Sequence, residues 1–372
     1  MAARVVVIFG GNSAEHEISL AGAKAVLGHA LGLGWDVLPA GVRRSGQWVV
    51  GAGALEQLWQ DADPELLPRG HELGDRVPGE DGPYQVFHGP PPGSVFSGYQ
   101  LAFPVCHGRW GEDGTLQGHL ACHELPIVGS GLTASALCFN KHLTRSMLSA
   151  AGLPIAAGLM VTAADVHDDF NAVFDRVRDR VGEVPWFVKP ARGGSSLGIG
   201  RGFDRASLRR ALQAALTWDE AALVEEDIPH RELVLGVLGA AGSSDLVVSV
   251  PGECVPVGDL YTYEEKYRLG NPAFTCPAEL PAHIASRAAD LARQTYRVLG
   301  CDVFARVDLF LDRRTDELLV NEVNTIPGMT EVSVFPKVMA ASGYAYPDLL
   351  QELCRIAAQQ SAPGRPVTVV TT

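Results

Sequence analysis

The chain has 372 residues, of which 47% are hydrophobic and 20% charged, and it carries a formal net charge of −13. This length is too great for one ordinary core and predicts two or three domains of a globular protein. The acidic balance excludes a general affinity for nucleic acid or anionic membranes, and no apolar run reaches the roughly 18–20 residues needed to span a bilayer. A nucleotide substrate stays open, because a few local cations can reverse the field inside a cleft.

The opening MAARVVVIFGG has one early Arg and a short β-branched run, with no longer apolar core or small-residue cleavage site behind it. It reads as a first strand and not a signal peptide, which predicts a cytoplasmic protein. Residues 5–11 form that strand, 21–34 a helix ending in glycines, 101–108 a strand entering a loop, 116–125 a helix and 126–131 a short strand. The alternation predicts an open parallel α/β sheet with helices on its faces. Residues 61–94, with GPPPG at 89–93, read as a surface excursion. A helix from about Ser135 to Ala151 leads into a second unit, in which 184–190 is a strand, 191–200 a glycine-rich loop, 206–216 an amphipathic helix and 222–228 a strand. A third unit contains two alternating strands, CDVFARVDLFLD and DELLVNEVN, separated by RRT. The tail after Ala362 is polar and contains proline. Seven scattered cysteines with no C-x-x-C spacing predict free thiols, not a zinc site or disulfide framework.

The two strands at 301–324 carry the strongest local signal. Side chains two apart in a strand share a face, so Arg306 lies with Asp308, and Glu322 with Asn324. If the hairpin folds about Thr315, opposed residue numbers sum to 630, which sets Asp308 opposite Glu322 and Arg306 opposite Asn324. Two carboxylates and an amide oxygen suit Mg²⁺, and the Arg suits a developing oxyanion. The same spacing also fits a solvated sheet face with cross-strand salt bridges. The following TIPGMT (325–330) supplies a turn that brings Ser333 and backbone amides, Gly328 among them, toward the same patch.

In FVKPARGGSSLGIG, Lys189 at a strand end precedes a loop whose backbone N–H groups can cover nucleotide phosphates. It is not a Walker A loop. Gly194–Gly198 also matches the G-x-S-x-G elbow of hydrolases, with Ser196 as nucleophile, although Pro190, Arg192 and two glycines separate it from the strand. GGNSAEHEISL (10–20) is a strand-to-helix turn in which Asn12 and Glu15 have capping-box spacing. Glu15 is therefore either a helix cap or a carboxylate aimed at a ligand ammonium. G-x-G-x-x-G is absent there, against a dinucleotide fold. CHGRWGEDGTLQG (106–118) is a loop crowded with His, Arg, Glu and Asp that leads into a helix capped near Asp113 or Thr115, and YTYEEKY (261–267) suits a lid.

Taken in order, VVVIFGGNSAEHEISL, HGRWGEDGTLQG, VGSGLTASAL, FVKPARGGSSLGIG, YTYEEKY, RVDLFLD and VNEVNTIPGMTEVSVFPK resemble the D-alanine–D-alanine ligases of the ATP-grasp superfamily over nearly the whole chain. The resemblance implies an α/β, three-subdomain ATP-grasp fold with an N-terminal open parallel sheet. Its units would be 1–134 (substrate binding), 135–228 (central), 229–362 (catalytic) and a tail at 363–372. It implies ATP as substrate, two Mg²⁺ for which Mn²⁺ can substitute, D-alanine as the amino acid, and a homodimer. Glu15 would hold the first D-alanine's ammonium, with His107 nearby. Lys141 and Lys189 would contact nucleotide phosphates, Glu225 would lie in the adenine-pocket strand, and Glu232 would bind the ribose. Ser195 and Tyr267 would bond with Glu15, with Ser195 and Ser196 in the phosphate loop and Lys266 at the transferred phosphoryl group. Asp308, Glu322 and Asn324 would hold the metal, Arg306 the oxyanion, and Ser333 with Gly328 the second substrate. Asn140 and Asp227 depart from the usual pattern at positions that touch nucleotide affinity. The nearest rival product is the ester of a D-alanine–D-lactate ligase; the intact Lys266-Tyr267 of the lid favours the dipeptide.

Overall fold

The β-branched run near the start forms the centre of a first sheet. A computed structural model describes residues 3–67, 82–194, 197–240, 242–255 and 274–360. Its first elements are β1 (Arg4–Gly10), α1 (His16–Gly32), β2 (Asp36–Val42), β3 (Trp48–Gly51), α2 (Ala54–Gln60), β4 (Tyr84–Phe87) and β5 (Leu101–Pro104). They lie in the order β4-β3-β2-β1-β5, with β1 parallel to β2 and to β5. Val5 to Phe9 are fully buried, as a parallel strand covered on both faces requires. The expected all-parallel sheet is nonetheless mixed. The short turn at Arg43–Gly46, closed by Arg43 N donating to Gln47 O, reverses the chain too tightly for a parallel crossover, so β3 and then β4 run antiparallel. The stretch 61–94 is therefore not wholly a surface excursion, since it supplies β4 as the edge strand; residues 68–81 lie outside the described residues.

Next come α3 (Thr115–Cys122), α4 (Leu132–Phe139) and α5 (Lys141–Ala150). The expected strand at 126–131 is reduced to a single bridge between Ala102 and Ile127. The single helix expected from Ser135 to Ala151 is two. Asn140 is extended (φ −94, ψ 99), and its side chain accepts the N–H groups of His142 and Leu143, capping α5.

A second sheet is built from β6 (Gly158–Thr162), β7 (Trp186–Pro190), β8 (Gly200–Gly202) and β9 (Ala221–Glu226), with α6 (Ala163–Asp168), α7 (Phe170–Val181) and α8 (Arg205–Leu216) between them. All its pairings are antiparallel, in the order β6-β9-β7-β8. Phe170, Val173, Val177, Leu208 and Leu212 cover one face through Trp186, Val188 and Val224. Alternation then turns Phe187, Lys189 and Glu225 to the other face.

The third sheet has the order β13-β12-β10-β14-β15, with β11 on β10. Its strands are β10 (His230–Leu238), β11 (Val247–Val248), β12 (Gly252–Cys254), β13 (Phe274–Thr275), β14 (Phe304–Asp312) and β15 (Leu318–Asn324), accompanied by α9 (Ala282–Val298), α10 (Val334–Ala341) and α11 (Tyr346–Gln360). The expected pairs Asp308–Glu322 and Arg306–Asn324 are present. They arise differently from the simple hairpin, however. Near the turn, Leu311 faces Leu318 and Leu309 faces Val320, one less in sum, and a bulge at Asn321 restores the register before the site. All seven cysteines are free thiols, and no helix among the described residues is long and apolar enough to cross a membrane.

Candidate active site

Two adjoining cavities open between the sheets. The smaller, about 150 Å³, is lined by Glu15, His107, Glu112, Arg306, Asp308 and Ser333 among others. The larger, about 690 Å³, has apolar walls from Phe187, Ile228 and Phe310 and includes Lys189 and Glu225. Lys141, Gly193, Gly194, Glu232 and Glu322 are among the residues that line both, so a cation, backbone and two carboxylates gather where the cavities join.

Glu15 stands at the end of the turn after β1. It is the residue before α1 and makes no side-chain cap, so the Asn12–Glu15 capping box does not form. The turn is held instead by Glu15 N donating to Ser13 Oγ (3.1 Å) and by His16 Nδ1 donating to Gly11 O (2.8 Å). Ser19 accepts the Gly10 N–H and donates to the Val105 carbonyl, both at 2.7 Å, tying this turn to the chain that leads to His107. Gly194 of the glycine-rich loop packs against Glu15; a Cβ there would lie 3.4 Å from Oε2.

His107 is buried, its ring bonded to the Ile326 carbonyl, and its Nε2 has no hydrogen-bond partner among the described residues. Burial holds the imidazole below its ordinary pKa against the opposing charge of Glu15, so it is neutral near pH 7. The loop then folds back through Gly108, whose positive φ and close approach to Ser13 leave no room for a side chain. The return brings in Glu112, which accepts the Gly108 N–H at 2.6 Å. Burial, with Glu15 adding to it, pushes the Glu112 carboxyl up to about 8. Sequence reasoning marked this loop but missed Glu112, whose approach to Glu15 depends on the fold-back. The N-cap of α3 is Gly114 and has no side-chain cap, in place of the expected Asp113 or Thr115; Asp113 instead accepts from Trp110 N (2.8 Å) and Thr115 N (3.0 Å) in the turn before it.

On the hairpin, Arg306 grips Asp308 through both nitrogens (2.8 and 2.7 Å), Asn324 Nδ2 donates to Asp308 (3.2 Å), and Glu322 lies 4.0 Å from Arg306. Asp308 is almost fully buried. Turning the Asn324 amide over would present its oxygen beside the two carboxylates. That donor set is all hard oxygen, and no three His, Cys, Asp or Glu side chains gather at one point among the described residues. A cation held here must complete its shell with phosphate oxygens and water, the habit of Mg²⁺. The residues fit the group.

Lys141 donates to Gly193 O (2.5 Å), and its backbone N–H to Ala191 O (3.0 Å), so the first residue of α5 is fastened to the phosphate loop. Lys189 bonds Glu225 (2.6 Å) and Asn321 (3.3 Å). Glu225 lines the larger cavity with its other oxygen on Arg145. Arg145 and Asn321 were not expected; the bulge lets Asn321 and the next residue, Glu322, both face the cleft. At the far end, Ser333 Oγ contacts Thr330 Oγ1 (2.7 Å), and Gly328 packs so closely that a Cβ would lie 2.9 Å from Ser333 Oγ. Ser195, Ser196, Lys266 and Tyr267 lie outside the described residues. Because β7 ends at Pro190, the strand does not run into Ser196 as a hydrolase elbow requires.

Comparison with known proteins agrees with this geometry. Residues 4–130 match the family model described as D-ala D-ala ligase N-terminus, and 147–355 the D-ala D-ala ligase C-terminus. The D-alanine–D-alanine ligase of Chlorobaculum parvum is 37% identical over 96% of this chain and 97% of its own. That of Shouchella clausii is 37% identical over 96% and 95%. The solved D-alanine–D-alanine ligase of Coxiella burnetii superposes with a TM-score of 0.77 at 28% identity, covering 97% of this chain and 96% of its own. The VanG D-Ala:D-Ser ligase of Enterococcus faecalis gives 0.76 at 30% identity over 96% and 100%. The fold and cleft are those of an ATP-grasp ligase. Within that class, the chain belongs to the D-alanine–D-alanine ligase family.

Proposed function

We propose that this enzyme joins two D-alanine molecules into D-alanyl-D-alanine for peptidoglycan precursor synthesis, converting ATP to ADP and phosphate. The carrying observation is the junction of an amino-acid-sized cavity holding Glu15, His107 and Arg306 with a larger apolar-walled one at Lys141, Gly193–Gly194 and Glu322. The larger cavity takes the nucleotide, with Glu232 at the ribose and Lys141 and Lys189 at the phosphates. Glu15 takes the ammonium of the first D-alanine beside His107. The γ-phosphoryl group passes to that substrate's carboxylate, giving an acyl phosphate, and the lysines and loop amides offset the charge as the groups are aligned. The amine of the second D-alanine, whose carboxylate is held by Ser333 and the Gly328 turn, then attacks. Arg306 stabilises the tetrahedral oxyanion before phosphate leaves. Asp308, Glu322 and Asn324 would hold two Mg²⁺, with Mn²⁺ as substitute, which would neutralise phosphate charge when bound. By the family resemblance, Ser195, Ser196 and Lys266 would serve the nucleotide and Tyr267 would work with Ser195 and Glu15; these four residues lie outside those described. The three units 1–134, 135–228 and 229–362 supply these parts in turn. We place the enzyme in the cytoplasm as a homodimer.

Phosphate release from ATP tests this reading with D-alanine, L-alanine, D-alanine plus D-lactate, and D-alanine plus D-serine. D-alanine alone is expected to suffice. Turnover with L-alanine overturns the stereochemistry, and turnover that requires D-lactate or D-serine moves the enzyme to an ester or mixed-dipeptide product.

A further inference from the structure

Lys189 reaches the larger cavity already engaged from behind. Phe187 and Glu225 are opposed across β7 and β9, and Lys189 lies two residues beyond Phe187, so Lys189 and Glu225 share a face. Its ammonium is 2.6 Å from Glu225 Oε2, while Arg145 Nη1 is 2.5 Å from Oε1. All three residues are buried, each less than a tenth exposed. A Lys–Glu pair alone is neutral and offers little net charge to a phosphate chain. With Arg145, two cations share one carboxylate, and the cluster keeps one positive charge.

The second sheet is shaped to admit this arginine. On the other side of β9, Glu225 is opposed to Gly158 of β6. A Cβ on Gly158 would lie 2.7 Å from Arg145 Nη2. The missing side chain leaves a slot for the guanidinium, which also donates to the Ala156 carbonyl. A planar fork with several donors is pre-organised to satisfy both partners at once, whereas an ammonium on a flexible stem must be held in place to do so.

We propose that Arg145 is a positioning residue for the nucleotide phosphates: it anchors Glu225, which aims the Lys189 ammonium at the phosphates, and it keeps the cluster cationic. This rests on the nucleotide reading of the larger cavity. The full-length protein is therefore titrated calorimetrically with ADP and, separately, with adenosine, which has the base and ribose but no phosphate. Arg145→Met is expected to weaken ADP roughly tenfold, as loss of a charge-assisted contact does, and to leave adenosine unchanged. The KM for ATP should rise while that for D-alanine stays put. Gly158→Val, which fills the slot, should repeat the ADP-selective loss with Arg145 intact. Arg145→Lys keeps the charge and the fold should Arg145→Met fail to fold, and it should lose less ADP affinity. Wild-type ADP affinity in these variants, or an equal loss for ADP and adenosine, overturns the role of Arg145. Failure of the unmodified protein to bind either ligand instead sinks the nucleotide reading and the inference with it.

Discussion

Glu112 sits where a carboxylate is costly. It is enclosed, it accepts a single backbone N–H from Gly108, and Glu15 lies close enough to oppose its charge. Folding therefore raises its pKa, and the folded chain binds that proton more tightly than the unfolded chain does. Such a contribution to stability is complete below the ordinary Glu value and is lost as pH rises through the folded value of about 8. Glu112→Gln removes the titration but keeps an oxygen for Gly108. We expect the metal-free wild type to lose melting temperature relative to Glu112→Gln between pH 5 and pH 8.5, at a slope of at most about 1.4 kcal/mol per pH unit. Parallel melting curves for the two proteins across that range would show that the buried charge is not being resisted. The contrast with Asp308 is instructive. Asp308 is more deeply buried than Glu112, but Arg306 and Asn324 grip it. Spacing alone revealed that pair, because strand alternation is local; Glu112 was hidden, because its position depends on Gly108 turning the chain back.

At the scale of the element, the hairpin places the metal-binding trio by a route that spacing did not disclose. The pairs at the site follow the expected sum, yet the turn lies half a residue away from Thr315 and the bulge at Asn321 compensates. Deleting Asn321 would remove only the extra residue and join the Leu309–Val320 and Asp308–Glu322 pairs into one regular ladder, so Glu322 and Asn324 should keep their face. Turnover should then fall by no more than roughly tenfold, the loss expected from removing the amide that accepts from Lys189. Asn321→Ala keeps the register and removes only the amide that accepts from Lys189, so its loss should stay within roughly tenfold. Phosphate release compares the two variants, and a loss of about 100-fold on deletion alone would show that the bulge itself, not the amide, places the trio. Helix boundaries failed for a related reason. The apolar pattern from Ser135 onward is continuous, but Asn140 breaks it by capping α5, which presents Lys141 to the phosphate loop. Tertiary contact, not periodicity, decides that break. The mixed pairing of the first sheet was likewise written in a short turn, whereas its parallel centre was plain from the β-branched runs.

Across the whole molecule, the sheets are not independently sealed. The core beneath β1 and β5 includes Val7, Phe9, Leu27 and Phe103 from the first sheet's elements. The same core includes Phe304, Met329, Phe335 and Val338 from around the catalytic hairpin, and Leu349, Leu350 and Leu353 from α11. The segment carrying Ser333 thus shares its packing with the turn carrying Glu15, and His29 of α1 meets Glu331 at 2.5 Å. We therefore expect loss at one end to be felt, and partly offset, at the other. Leu353→Ala empties a fully buried site on α11 and should cost about 2–5 kcal/mol. Saturating Mg²⁺–ADP at 100 times its Kd adds only about 2.7 kcal/mol, so it should restore much of the lost melting temperature without exceeding the wild type with ADP. That holds only if the nucleotide cleft and the α11 core unfold in one transition. Calorimetric melting of Leu353→Ala with and without Mg²⁺–ADP decides it. If ADP shifts a separate, higher transition and leaves the destabilised one in place, the first sheet and α11 form a unit that the cleft does not reach. The shared core would then be a contact between domains and not a single cooperative body.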